Sequence, residues 1–91
     1  MNLDKIWIFS GAGGNFPSGV FLDFEEAKGW IARNRLTGVL TLYPINIGVY
    51  EWAIEKQFFD PIKDAQKTPE FIGRFSCASM EHLHFEDGKE E

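Results

Sequence analysis

Residues 23–34 read Asp-Phe-Glu-Glu-Ala-Lys-Gly-Trp-Ile-Ala-Arg-Asn, and this stretch sets the interpretation of the segments around it. Asp23 has the side chain of an N-cap, and Glu26 follows three residues later as in a capping box. Four apolar residues recur at helical spacing and so share one face: Phe24, Ala27, Trp30 and Ile31. The stretch therefore predicts an amphipathic helix that begins after Asp23 and ends near Asn34.

Short apolar segments on both sides of this helix predict strands. Residues 5–9 form a β-favouring run that stops at a glycine-rich loop, and residues 18–22 form a second run that should pair with the first as a hairpin. Residues 37–43 are also rich in β-favouring side chains, and Pro44 closes them because proline cannot donate to a sheet ladder. These segments predict three strands before the middle of the chain.

The second half of the chain returns to a helical pattern and ends in one more strand. Helical spacing of apolar residues predicts a broad-faced helix from Gly48 to about Phe58. Thr68 and Pro69 are typical of an N-cap and a first helical residue, so a shorter helix should follow them. Residues 79–86 alternate between apolar and polar side chains, as in a half-buried strand.

The resulting order is β-β-α-β-α-α-β, which predicts an α+β fold with a small, mainly antiparallel sheet and helices on one face. The chain has 91 residues, of which 44% are hydrophobic and 15% aromatic, so one hydrophobic core is expected. We expect a single domain over residues 1–87. Residues 88–91 should form a frayed acidic tail.

The cysteine content and the first residues of the chain suggest a cellular location for the protein. Cys77 is the single cysteine, which excludes an intramolecular disulfide, and no basic and apolar leader follows Met1. No apolar stretch approaches the roughly twenty residues that span a bilayer. A cytoplasmic protein without a membrane partner is therefore expected.

The formal charge of −5 is concentrated near the C-terminus. Residues 81–91 contain Glu81, Glu86, Asp87, Glu90 and Glu91 against Lys89 alone. Nucleic-acid binding draws most of its affinity from clustered lysine and arginine, and the chain has no such cluster. The charge excludes a nucleic-acid partner and favours a basic protein partner.

The glycine loop, Gly11-Ala12-Gly13-Gly14, is a candidate nucleotide site by composition. A phosphate cradle requires the loop to open into a helix, whereas this loop continues through Phe16 and Pro17 into a predicted strand. A hairpin loop is the favoured interpretation. Gly13, Gly14 and Asn15 are then candidates for an exposed recognition tip.

His82 and His84 lie two residues apart on a predicted strand, which places both imidazoles on one face together with Glu86. Zinc would need at least one further ligand, and no second cluster of histidine or cysteine supplies it. We therefore assign no metal and no cofactor, and treat His82, His84 and Glu86 as candidate protein-binding residues. Cys77, with one of the histidines as base, is a second way to build an enzyme here, although most free cysteines are inert.

Several continuous motifs carry a resemblance to a known family. They are Phe16-Pro17-Ser18-Gly19-Val20-Phe21, Ala27 with Trp30-Ile31, Leu36-Thr37-Gly38-Val39-Leu40-Thr41 with Tyr43-Pro44, and Gly48-Val49-Tyr50-Glu51-Trp52-Ala53-Ile54. With these motifs the chain resembles a family of small bacterial proteins of uncharacterised function over nearly its whole length. The resemblance implies kinship and brings no catalytic residues with it.

Small size, acidity and the lack of a convincing catalytic set favour a protein-binding domain, for example an immunity protein that neutralises a bacterial toxin. The alternative is a small metal-dependent or cysteine-dependent enzyme that uses the face of His82 and His84. A third hypothesis is a subunit that forms a homodimer through an edge strand.

Overall fold

The computed structural model describes residues 4–91. Its five strands are β1 (Lys5–Gly11), β2 (Gly19–Phe21), β3 (Gly38–Pro44), β4 (His82–Glu86) and β5 (Lys89–Glu90). They form one sheet in the order β2-β1-β3-β4-β5, and every neighbouring pair is antiparallel. The helices are α1 (Phe24–Arg33), α2 (Val49–Glu55) and α3 (Pro69–Arg74), with a 3-10 turn at Asp64–Lys67. The predicted α+β class and antiparallel sheet are confirmed.

Helix α1 packs across one face of the sheet and forms the main core with it. Asp23 caps the helix by accepting a hydrogen bond from the backbone N–H of Glu25, at 3.3 Å. The buried centre of this core is formed by Trp7, Phe9, Ala27, Ile31, Leu40 and Phe85. Trp30 lies over Phe9 and Phe21, with ring centres 5.6 and 5.3 Å apart. The core face of the sheet is thus the face that α1 covers.

A second, smaller apolar cluster joins α2, α3 and the segment between them. Its aromatic members are Tyr50, Phe59, Phe71 and Phe75, with ring centres 4.8 to 6.3 Å apart. The Tyr50 hydroxyl donates a 2.8 Å hydrogen bond to the carbonyl oxygen of Gln66, and this bond fixes the 3-10 turn against α2. Residues 60–67, which connect α2 to α3, therefore include an ordered turn.

The C-terminal residues correct one expectation. Instead of fraying, Lys89–Glu90 forms β5 and pairs with β4, and the Glu91 N–H donates to the carbonyl oxygen of His84 at 2.9 Å. Asp87 and Gly88 both have positive φ, 52° and 83°, as a type I′ hairpin turn requires. The chain thus ends in a closed hairpin.

No helix within residues 4–91 is long and apolar enough to cross a membrane.

Candidate functional site

The face of the sheet opposite α1, called the open face below, carries the candidate histidines. Side chains alternate along each strand, so the residues that do not face α1 point to this side. They are Ile6, Ile8 and Ser10 of β1, Val20 of β2, Val39, Thr41 and Tyr43 of β3, His82, His84 and Glu86 of β4, and Lys89 of β5. Each is exposed or half-buried. The open face is therefore a surface of the folded protein.

Strand register orders these side chains into rows. One row runs Val20, Ile8, Thr41 and His82 across four strands, and the next runs Ser10, Val39 and His84 across three. Apolar side chains occupy the β2 and β1 side, where Val20 is 59% exposed. Polar side chains occupy the β4 side. The open face thus joins an apolar half to a polar half.

The predicted alternation in β4 is confirmed. Leu83 and Phe85 contribute to the core under α1, whereas His82 and His84 are exposed. The two imidazole ring centres lie 5.3 Å apart at a steep interplanar angle of 81°. His82 Nδ1 lies 2.7 Å from the carbonyl oxygen of Met80. A carbonyl only accepts hydrogen bonds, so Nδ1 of His82 carries a proton.

The glycine loop lies at one end of the sheet and is exposed from Gly13 to Asn15. Gly13 has a φ of 79°, and the N–H of Gly14 donates to the carbonyl oxygen of Gly11 at 3.0 Å. The loop begins at Gly11, which is two strands away from Phe85, a separation of roughly 10 Å. The loop and Glu86 therefore share one end of the sheet, but the structure does not bring them into contact.

Thr37 connects this loop to the β4–β5 hairpin. Its carbonyl oxygen accepts from the N–H of Ala12 at 3.0 Å, and its Oγ1 accepts from the N–H of Asp87 at 3.0 Å. Thr37 was not among the predicted site residues. Since both bonds join segments distant in sequence, local pattern could not reveal it.

A bidentate ion pair holds the hairpin in place. Arg35 Nε and Nη2 donate to the two carboxylate oxygens of Asp87, each at 2.9 Å. Hydrogen bonding from Arg35 lowers the pKa of the Asp87 carboxyl, and the same bond raises the pKa of Arg35. One of the five C-terminal acids is therefore already paired. Of the other four acids, the strand register places Glu86 on the open face and Glu90 on the α1 side of the sheet.

Cys77 is half-buried and lies beside the open face. With Ser76, Ala78 and Met80 it lines a shallow depression of about 220 Å³. The same depression is lined by Val39, Thr41, Tyr43 and His82. The structure thus brings Cys77 and His82, one of the two candidate bases, to the same depression. Within residues 4–91, no group of three histidine, cysteine, aspartate or glutamate side chains could hold a metal ion.

The apolar half of the open face was also missed by sequence reasoning. The signal was present in β1, where Ile6, Trp7, Ile8 and Phe9 are all apolar. A strand buried on one face should alternate, and a continuous apolar run indicates that its second face is also apolar.

The fold and the site define a small α+β domain with a five-stranded antiparallel sheet, one face covered by a helix and the other open. A family model matches residues 6–91, and its description is "Domain of unknown function (DUF7710)". The chain belongs to this family. No significant match was found among curated proteins or solved structures.

Proposed function

We propose that this protein is a protein-binding domain and that the open face is its binding surface. The observation that carries the proposal is the row Val20, Ile8, Thr41 and His82, which runs from an exposed apolar edge to an exposed polar strand. Protein interfaces combine apolar with polar surface, and the open face has both.

The partner is proposed to be basic, because the C-terminal segment that borders the open face carries more acid than base. Glu86 lies on the face, and Glu81, Glu90 and Glu91 lie in the same C-terminal segment, against Lys89 alone. The negative electrostatic field of these side chains would accelerate association with a basic partner, and salt would screen it. The specific form of this proposal is a bacterial immunity protein whose partner is a toxin. A homodimer that forms through an edge strand is the competing assembly.

Site-specific photo-crosslinking tests the surface and can be applied before the partner is identified. A photoreactive phenylalanine analogue is placed at Val20 on the open face or, as a control, at Ile62, which is 80% exposed on the 60–67 segment. After irradiation in the native cells, Val20 should yield one dominant adduct with another protein and Ile62 should not. Equal adducts from both positions, or none from Val20, would contradict the proposal. An adduct with a second copy of this chain would replace the basic partner with the homodimer.

A cysteine-dependent enzyme is the second candidate function, because Cys77 and His82 line one depression. A nucleophilic thiol should react with iodoacetamide faster than an ordinary exposed thiol, and this excess should disappear in His82→Ala. A rate equal to that of free cysteine in both proteins would reject this candidate.

A further inference from the structure

The geometry points to a divalent metal site formed by His82 and His84 on the open face, with Zn²⁺ as the ion that it fits. Such a site uses two protein ligands, and water would supply the further ligands that Zn²⁺ needs. It does not depend on the proposed protein partner.

The separation of the two rings is the first observation. Two imidazoles on one tetrahedral Zn²⁺, each with a Zn–N bond of about 2.0 to 2.1 Å, have ring centres about 5.2 Å apart. The ring centres of His82 and His84 are 5.3 Å apart. The strand places the two residues about 6.4 to 6.8 Å apart on the same face, and their side-chain conformations bring the ring centres closer together. Both side chains are exposed, so the ring of His84 can turn toward an ion held by His82 without disturbing the core.

The hydrogen bond of His82 is the second, independent observation. Metal-binding histidines usually donate their other ring N–H to a carbonyl or carboxylate, which fixes the tautomer and the ring orientation. His82 Nδ1 has this partner in the Met80 carbonyl oxygen, at 2.7 Å. In the neutral ring, Nε2 therefore keeps its lone pair free for a cation.

The Met80 carbonyl can keep the His82 ring in this orientation because Met80 is itself held in place. Its side chain is buried, and its N–H donates to the carbonyl oxygen of Cys77 at 3.1 Å. The carbonyl that orients His82 thus belongs to an anchored turn.

The local charge also suits a cation. No lysine or arginine occurs from Phe75 to Gly88, and Glu86 follows His84 on the same face. Lys89 is the nearest base in sequence and lies opposite Glu86 in the register of the hairpin. Neutral imidazole nitrogen is a preferred ligand of Zn²⁺, and of Cu²⁺ with higher affinity.

The test is calorimetric titration of the untagged chain with Zn²⁺ alone. The chain has two histidines and one cysteine, so three variants cover its imidazole and thiol ligands: His82→Ala, His84→Ala and Cys77→Ser. Circular dichroism is used to check that each variant is folded.

We expect one Zn²⁺ per chain, bound about tenfold or more weakly by either histidine variant, since loss of a ligand costs at least as much as loss of a second-shell partner. Cys77→Ser should bind as the unsubstituted chain does. The inference is overturned if both histidine variants bind Zn²⁺ as tightly as the unsubstituted chain. It is also overturned if Cys77→Ser loses as much affinity as His84→Ala, because the site would then include the thiol.

Discussion

Gly38 occupies a position in β3 where the backbones of three strands lie side by side. It is opposite Gly11 of β1 and opposite Phe85 of β4. A Cβ at this position would meet the carbonyl oxygen of Ser10 and would lie 2.7 Å from Cζ of Phe9 and 2.9 Å from Cα of Gly11. Backbone atoms cannot move aside as a flexible side chain can. The close approach of β1 and β3 therefore requires glycine.

Gly38→Ala should lower the free energy of unfolding by about 1 to 3 kcal/mol, because the added methyl group overpacks the junction. Gly73→Ala is the matched control, since a Cβ at Gly73 in α3 meets no atom within 4 Å. Alanine favours a helix over glycine by roughly 0.5 to 1 kcal/mol, so the control should lose no stability. Urea unfolding of both variants measures the difference. Equal midpoints for Gly38→Ala and the unsubstituted chain would contradict this packing.

Single residues were predictable from sequence where their interaction is local. Asp23 and Thr68 were predicted as N-caps, and each accepts a hydrogen bond from an N–H two or three residues ahead. The requirement for glycine at position 38 depends on strand β1, nearly thirty residues earlier. No local pattern encodes such a contact.

The β4–β5 hairpin is the element that the sequence interpretation missed. Asp87-Gly88 is one of the strongest two-residue hairpin signals, yet the high charge of the last residues suggested fraying instead. The hairpin is stable because it contacts the α1–β3 connection. The N–H of Gly88 donates to the carbonyl oxygen of Leu36 at 2.8 Å, and Asp87 pairs with Arg35.

The Arg35–Asp87 pair predicts how stability depends on pH. Its hydrogen bond lowers the pKa of Asp87 in the folded state, so its contribution is present above the ordinary aspartate pKa of about 3.9. The contribution is lost as the pH falls through the lowered pKa. Between about pH 6 and about pH 3, the unsubstituted chain should therefore lose more stability than Asp87→Asn. The pair is exposed, so the difference will be small.

The measurement is the midpoint of urea unfolding of the unsubstituted chain and of Asp87→Asn across this pH range. Arg35→Gln serves as the control, because removal of the cation should abolish the same part of the pH dependence. The double variant should then behave as either single variant does. If Asp87→Asn and the unsubstituted chain lose stability in parallel, the ion pair does not contribute to the folded state.

At the scale of the whole molecule, residues 4–91 form two apolar clusters and one open face. The order of elements and the antiparallel class were predictable, since periodicity and turn residues determine each element locally. The cluster of Tyr50, Phe59, Phe71 and Phe75 was not, because it joins segments that pattern reasoning treated as separate. The open face likewise appears only when the register places Val20, Ile8 and His82 in one row.

The binding role of the open face is tested most directly by the dissociation constant of the crosslinked partner for two matched variants. Val20→Asp adds a carboxylate to the apolar half of the face, and Ile62→Asp adds the same charge to a more exposed position elsewhere. A buried, unpaired charge is costly, so Val20→Asp should weaken binding about tenfold or more, whereas Ile62→Asp should change it by less than about twofold. Equal affinities for the two variants would show that the partner binds another surface.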